Sequence, residues 1–229
     1  MQNFEQLVTN VTHFLAIALI FGSVLYGERK YFKKGRPVFY QFILLGLLCK
    51  MMVTVYDIIT YMFFVSAWSG FTLPVLGNLG FALFFSGAMV EIFQQLEGKG
   101  VSCSFTKGFG LPSKLLALIP VAAEMIIFYV ITKVDPVRQD VVWLSINVVF
   151  QIIPSYLASL LLFRKDDGSG YIRSLRPCCL GMIVVQLTFL YFYYSAFVFG
   201  LTYCIACILF SLSAVFLTAG LERGSRKWI

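Results

Sequence analysis

One histidine, His13, and 11 acidic residues are all that this chain of 229 offers to imidazole or carboxylate chemistry, and only 13% of its residues are charged. Soluble domains carry about 25% charged residues, so a water-facing globular surface is excluded. A single histidine leaves a metal site dependent on carboxylate or thiolate help, and no His/Cys spacing provides it. Neither a metal nor another cofactor is expected. There is no Ser/His/Asp set, no paired glutamates and no His-rich helix of the kind intramembrane hydrolases need, so the chain is not expected to be an enzyme. Gly98-Lys99-Gly100 lacks the spacing of a phosphate-binding loop, and Lys165-Asp166-Asp167-Gly168 is too short for a calcium loop and reads as a hydrophilic turn. Six cysteines are present, but Cys49, Cys103, Cys178, Cys179, Cys204 and Cys207 fall within or beside apolar runs, which argues for reduced thiols rather than a disulfide framework.

What the chain has in abundance is apolar surface: 59% of its residues are hydrophobic and its mean hydropathy is +0.85. Lipid is the solvent such a composition requires. Apolar runs lie at Leu7–Tyr26, Val38–Val65, Phe71–Phe93, Leu115–Thr132, Val141–Phe163, Cys178–Phe199 and Leu201–Leu221. A helix of about 20 residues crosses a hydrocarbon core, and an open strand edge has no partner there. The fold class is therefore read as all-α, a single polytopic domain over residues 1–229 with seven transmembrane helices and the bilayer as its partner.

A net charge of +7 would point to nucleic acid in a soluble protein. Here the basic residues sit in loops, so no nucleic-acid partner is expected. Fifteen of the 18 Lys and Arg residues fall on one side of the seven runs, in the first, third and fifth loops and the tail; Lys133 and Arg138 lie opposite, and Lys50 lies within a run. Positive charge marks the cytosolic side, giving an outside N-terminus and a cytosolic C-terminus, with the plasma membrane as the expected location. Met1 to Gln6 carries no basic residue, unlike the start of a cleavable signal peptide, so the first run is expected to stay as a helix.

Gly35-Arg36-Pro37, Leu111-Pro112-Ser113 and Arg176-Pro177 each precede a run, as helix punctuation should. Pro120 and Pro154 fall inside spans, where each removes a backbone hydrogen bond and should kink its helix. The last three spans echo the first three: a basic loop ending in Arg-Pro, a span finishing in aromatics, then a run closing with Leu96-Glu97-Gly98 or Leu221-Glu222. The echo suggests a parallel three-plus-one-plus-three repeat about the fourth span.

Charge inside hydrocarbon demands an explanation. Lys50, Thr54, Asp57 and Tyr61 follow helical spacing and should share one stripe facing the bundle interior. At ~1.5 Å per residue from the outer end, Asp57 and His13 lie roughly 10 Å deep, Glu124 about 15 Å and Lys50 about 20 Å. Asn78, Asn147, Gln151 and Gln186 fall at comparable levels, and Asn147, Gln151 and Ser155 form a second stripe broken by Pro154. One reading is a hydrated pocket open to the outside, where Lys50 attracts an anionic group and Asp57 or Glu124 binds a cation or proton. The other is a register lock, in which Lys50 and Glu124, or His13 and Asp57, pair to remove each other's desolvation cost.

Seven helices, this orientation and a three-plus-one-plus-three pattern resemble the SWEET and PQ-loop group of transporters. That group's mark is a Pro-Gln dipeptide in the first helix of each repeat; this chain has Gln151-Ile-Ile-Pro154 in its fifth span, and no family residue is carried over. Microbial rhodopsins share the topology, but they attach retinal to a lysine in the last span, where this chain has none. The expected function is a small-solute transporter or facilitator whose pocket is lined by Lys50, Asp57, Asn78, Glu124, Asn147, Gln151 and Gln186. The alternatives are a seven-helix ligand-sensing or scaffold subunit acting through a homo-oligomer or membrane partner, and an ion channel, for which no ring of acidic residues marks a filter.

Overall fold

The computed structural model describes residues 2–31, 38–63, 73–103, 108–134, 141–165 and 170–195. They form α1 (Gln2–Tyr31), α2 (Val38–Phe63), α3 (Leu73–Gly98), α4 (Leu111–Leu116), α5 (Leu118–Val134), α6 (Val141–Leu162) and α7 (Tyr171–Ser195). There is no strand among the described residues. Among the described residues, four stretches are long and apolar enough to cross a membrane: Val38–Thr60, Val75–Gly98, Leu111–Val130 and Ser145–Leu162. A shorter apolar segment, Phe14–Tyr26, lies within α1. The expected seventh span, and with it the end of the repeat, lies outside the described residues.

Helix ends follow local chemistry. Pro112 stands in the first turn of α4, where its missing N–H costs nothing. Pro120 acts as anticipated from the sequence: the residue four before it is Leu116, the last of α4, and the helix breaks at Ala117 before resuming as α5. Pro154 lies within α6 without ending it. Pro177 corrects a boundary. The helix it was expected to precede begins at Tyr171, and the proline lies inside α7. The polar residues before it, Arg173, Ser174 and Arg176, hid a first turn and a half that hydropathy does not register.

The end of α3 is closed by a Schellman turn. Val101 N–H donates to Leu96 C=O at 3.0 Å and Gly100 N–H to Glu97 C=O at 2.9 Å. Gly100 takes φ +81°, a left-handed conformation that glycine adopts without strain. Leu96 and Val101 are both buried, as the motif's hydrophobic contact requires.

α2 packs against α1 on one side and α3 on the other; α3 meets α6, and α5, α6 and α7 pack on one another. Because lipid is as apolar as leucine, association rests on close packing rather than on escape from water. Glycines make the α2–α3 approach close: a Cβ at Gly46 would stand 2.8 Å from the Phe85 ring, and one at Gly80 3.1 Å from Cys49 Sγ. Tyr40, Phe81, Phe85, Met89 and Ile92 belong to the buried core, while Leu19, Leu45, Leu83, Ile126 and Val149 face outward. That outward apolar surface is what a membrane-embedded bundle presents to lipid.

Candidate functional site

The polar residues singled out above resolve into two clusters. On α2, Lys50 is buried, and its Nζ donates to Asn78 Oδ1 on α3 at 2.5 Å. Asp57, two turns further along α2 and half-buried, lies within electrostatic range of the ammonium. Thr54 is buried on the same stripe, but its hydroxyl donates back to Met51 C=O at 2.8 Å and so is spent on its own helix. The side chains of His13 and Tyr61 lie outside the described residues.

The second cluster joins three helices. Glu124 of α5, Ser155 of α6 and Gln186 of α7 are fully buried. Ser155 Oγ contacts Glu124 Oε1 and stands 2.9 Å from Gln186 Oε1. Gln151, one turn before Ser155, donates its Nε2 to the Gln186 carbonyl at 3.0 Å. The Gln186 Nε2 faces its own helix, 3.3 Å from Met182 C=O, which fixes Oε1 as the atom turned towards Ser155.

This arrangement has a proton count. A serine hydroxyl has one proton, and here it faces two oxygens. One hydroxyl proton serves either Glu124 Oε1 or Gln186 Oε1 but not both at once, so a proton on the Glu124 carboxyl would complete the set, with donation then running from Glu124 to Ser155 to Gln186. Glu124 Oε2 is buried with no hydrogen-bond partner among the described residues, and so is Asn147 Oδ1, two turns before Ser155 on α6. Buried acceptors are rarely left in this condition.

Lys50 and Glu124 were one pairing considered from sequence. The described contacts give them different partners: Asn78 for the lysine, Ser155 for the glutamate. No described hydrogen bond joins the two clusters, although α3 and α6, which carry Asn78 and Ser155, pack on each other. Ser155 is the member that the expected pocket does not include. It lay on the Asn147–Gln151 stripe, and its spacing was the signal.

Glu91 accepts from Gln95 Nε2 at 2.8 Å, one helical turn away. Cys49, Cys103, Cys178 and Cys179 are free thiols, the last two fully enclosed in the bundle. Cys204 and Cys207 lie outside the described residues. Among the described residues no group of His, Cys, Asp or Glu is placed to hold a metal ion. No family model matches the chain, and neither a curated protein nor a solved structure matches it.

Proposed function

We propose that the chain is a seven-span integral membrane protein, with its N-terminus outside and its C-terminus in the cytosol, that carries or admits a small solute and holds a proton at Glu124. The observation behind this reading is the buried acceptor Glu124 Oε2 in the Glu124–Ser155–Gln186 chain, with a second, Asn147 Oδ1, two turns away on α6. A register lock closes on itself, because every unpaired buried acceptor weakens it by about 1–3 kcal/mol. A binding site leaves capacity for a ligand. Glu124 offers a proton site near the middle of the bundle, and Lys50 with Asn78 offers a cationic donor set on the neighbouring seam.

Flux of a broad solute panel into proteoliposomes tests it. Uptake by the wild-type chain should fall on Glu124→Gln, Lys50→Ala or Asp57→Asn, with each variant still eluting as a folded protein. Solute binding without flux, unchanged by these substitutions, would sink the transporter reading and favour a sensing subunit. Orientation is checked separately, by protease removal of a C-terminal tag from inside-out vesicles and its protection in right-side-out ones.

A further inference from the structure

At the end of the bundle that the loop charges mark as cytosolic, a second polar constellation lies outside the mechanism above. Arg164, three residues after Leu161 at the close of α6, is only 8% exposed. Its guanidinium lies 5.3 Å over the Phe109 ring, and its Nη1 donates to Cys103 Sγ at 3.5 Å. Arg176 of α7 reaches across, its Nη2 donating to the Arg164 carbonyl at 2.8 Å. Its Nε is buried and lacks a hydrogen-bond partner among the described residues. Neither arginine is paired with a carboxylate among the described residues.

The surroundings are built and not merely basic. Val101, Cys103 and Phe109, at the two ends of the α3–α4 connection, are buried, and the last two meet the Arg164 guanidinium. Ser113 Oγ fastens the start of α4 to Phe163 C=O at 3.0 Å, and Lys99 Nζ lies 4.6 Å over the Tyr171 ring. A guanidinium stays charged throughout the physiological range, and its planar fork is matched by two oxygens of one anion. The Arg176 fork contacts the Arg164 backbone, most N–H donors of both side chains are unused by the described contacts, and a thiol is the acceptor of the Arg164 fork among the described residues. Burying a guanidinium, as at Arg164, is costly unless an anion compensates.

We propose that Arg164 and Arg176 form a binding site for a phosphate group at the cytosolic face. Phosphate suits it better than carboxylate because it presents oxygens to two forks at once, and because this level of a membrane protein is where phosphodiester headgroups lie. The group comes either from an anionic lipid or from a soluble phosphate. The inference does not depend on the transport reading.

Thermal unfolding of the full chain tests it in two arms. In neutral detergent, inorganic phosphate is compared with chloride at equal ionic strength; in nanodiscs, phosphatidylglycerol is compared with phosphatidylcholine. The unfolding midpoint should rise with phosphate or with phosphatidylglycerol. A rise with the lipid alone assigns a headgroup, and a rise with inorganic phosphate assigns a soluble ligand. Arg176→Gln and Arg164→Lys should each weaken the half-saturating concentration by about tenfold or more, the factor that ~1.4 kcal/mol of lost interaction gives. Arg173→Gln, which removes an equal charge from an exposed position of the same helix, should not. Arg164→Lys keeps the charge and the aliphatic stem, so it separates loss of the fork from loss of the fold. An equal response from Arg173→Gln and Arg176→Gln, or from chloride and phosphate, would overturn the proposal. So would a response that emerges only after Asp166→Asn and Asp167→Asn, because the turn's own carboxylates would then be the anion.

Discussion

Lys50 Nζ and Asn78 Oδ1 stand 2.5 Å apart and tie the middle of α2 to α3. Replacing Asn78 by leucine removes an acceptor from a buried ammonium, which should lower stability by about 1–3 kcal/mol. Lys50→Met combined with Asn78→Leu should recover much of that loss, since a buried polar pair replaced by apolar groups of similar size is often nearly neutral. Unfolding of the two single variants and the double variant gives the coupling. Strictly additive effects would mean that the contact contributes nothing.

Gly46 and Gly22 are predicted to respond in opposite ways to the same added methyl. At Gly46 a Cβ would press on the Phe85 ring, so Gly46→Ala should destabilise by about 1–3 kcal/mol through overpacking. Nothing lies within 4 Å of a Cβ at Gly22, and Gly22→Ala should be neutral or mildly stabilising. Thermal unfolding in one detergent is sufficient to compare them. A neutral Gly46→Ala would mean that α2 and α3 approach less closely than described.

Much of this architecture was legible in the chain. Hydropathy placed α2 and α6 within two residues of their ends, and Pro120 announced the break before α5. What escaped was structure built by polar residues. Arg173 and Arg176 concealed the start of α7, because a window that averages hydropathy discounts a helical turn rising out of lipid. Arg164 read as one more topology charge, and nothing local announces that Phe109 and Cys103 fold back beneath it. Helical spacing put Asn147, Gln151 and Ser155 on one face. It does not say which neighbour that face meets, so the union of Ser155 with Glu124 and Gln186 needed tertiary structure.

Ser155→Ala interrupts the donation chain while leaving Glu124 in place. If proton movement at Glu124 drives uptake, transport down an imposed pH gradient should fall by about tenfold or more, whereas solute exchange without a gradient should persist. Glu124→Gln should give the same division. Equal losses in both assays would assign these residues to solute binding and not to coupling.

Gly100→Ala should destabilise by about 1–2 kcal/mol, the cost of a Cβ in a left-handed conformation. The added methyl meets nothing within 4 Å, so the effect isolates the backbone. Gly100→Asn should cost less, because asparagine tolerates this conformation better. Equal stability of the alanine, asparagine and glycine forms would argue against the Schellman closure of α3.

Gly77 and Gly80 seat α3 against Cys49, the residue immediately before Lys50, and Asn78 lies between those two glycines. A lysine inside a membrane ordinarily stretches towards the headgroups, so its height follows the lipid. Here the amide that receives it is carried on the adjoining helix, and the height of the charge is referenced to protein. In a thicker or thinner bilayer the bundle would tilt or the lipid would deform, each at modest cost, but ammonium and amide would keep their level relative to each other. The glycine seam thus acts as a ruler that travels with the molecule, setting an electrostatic coordinate independent of the membrane that surrounds it.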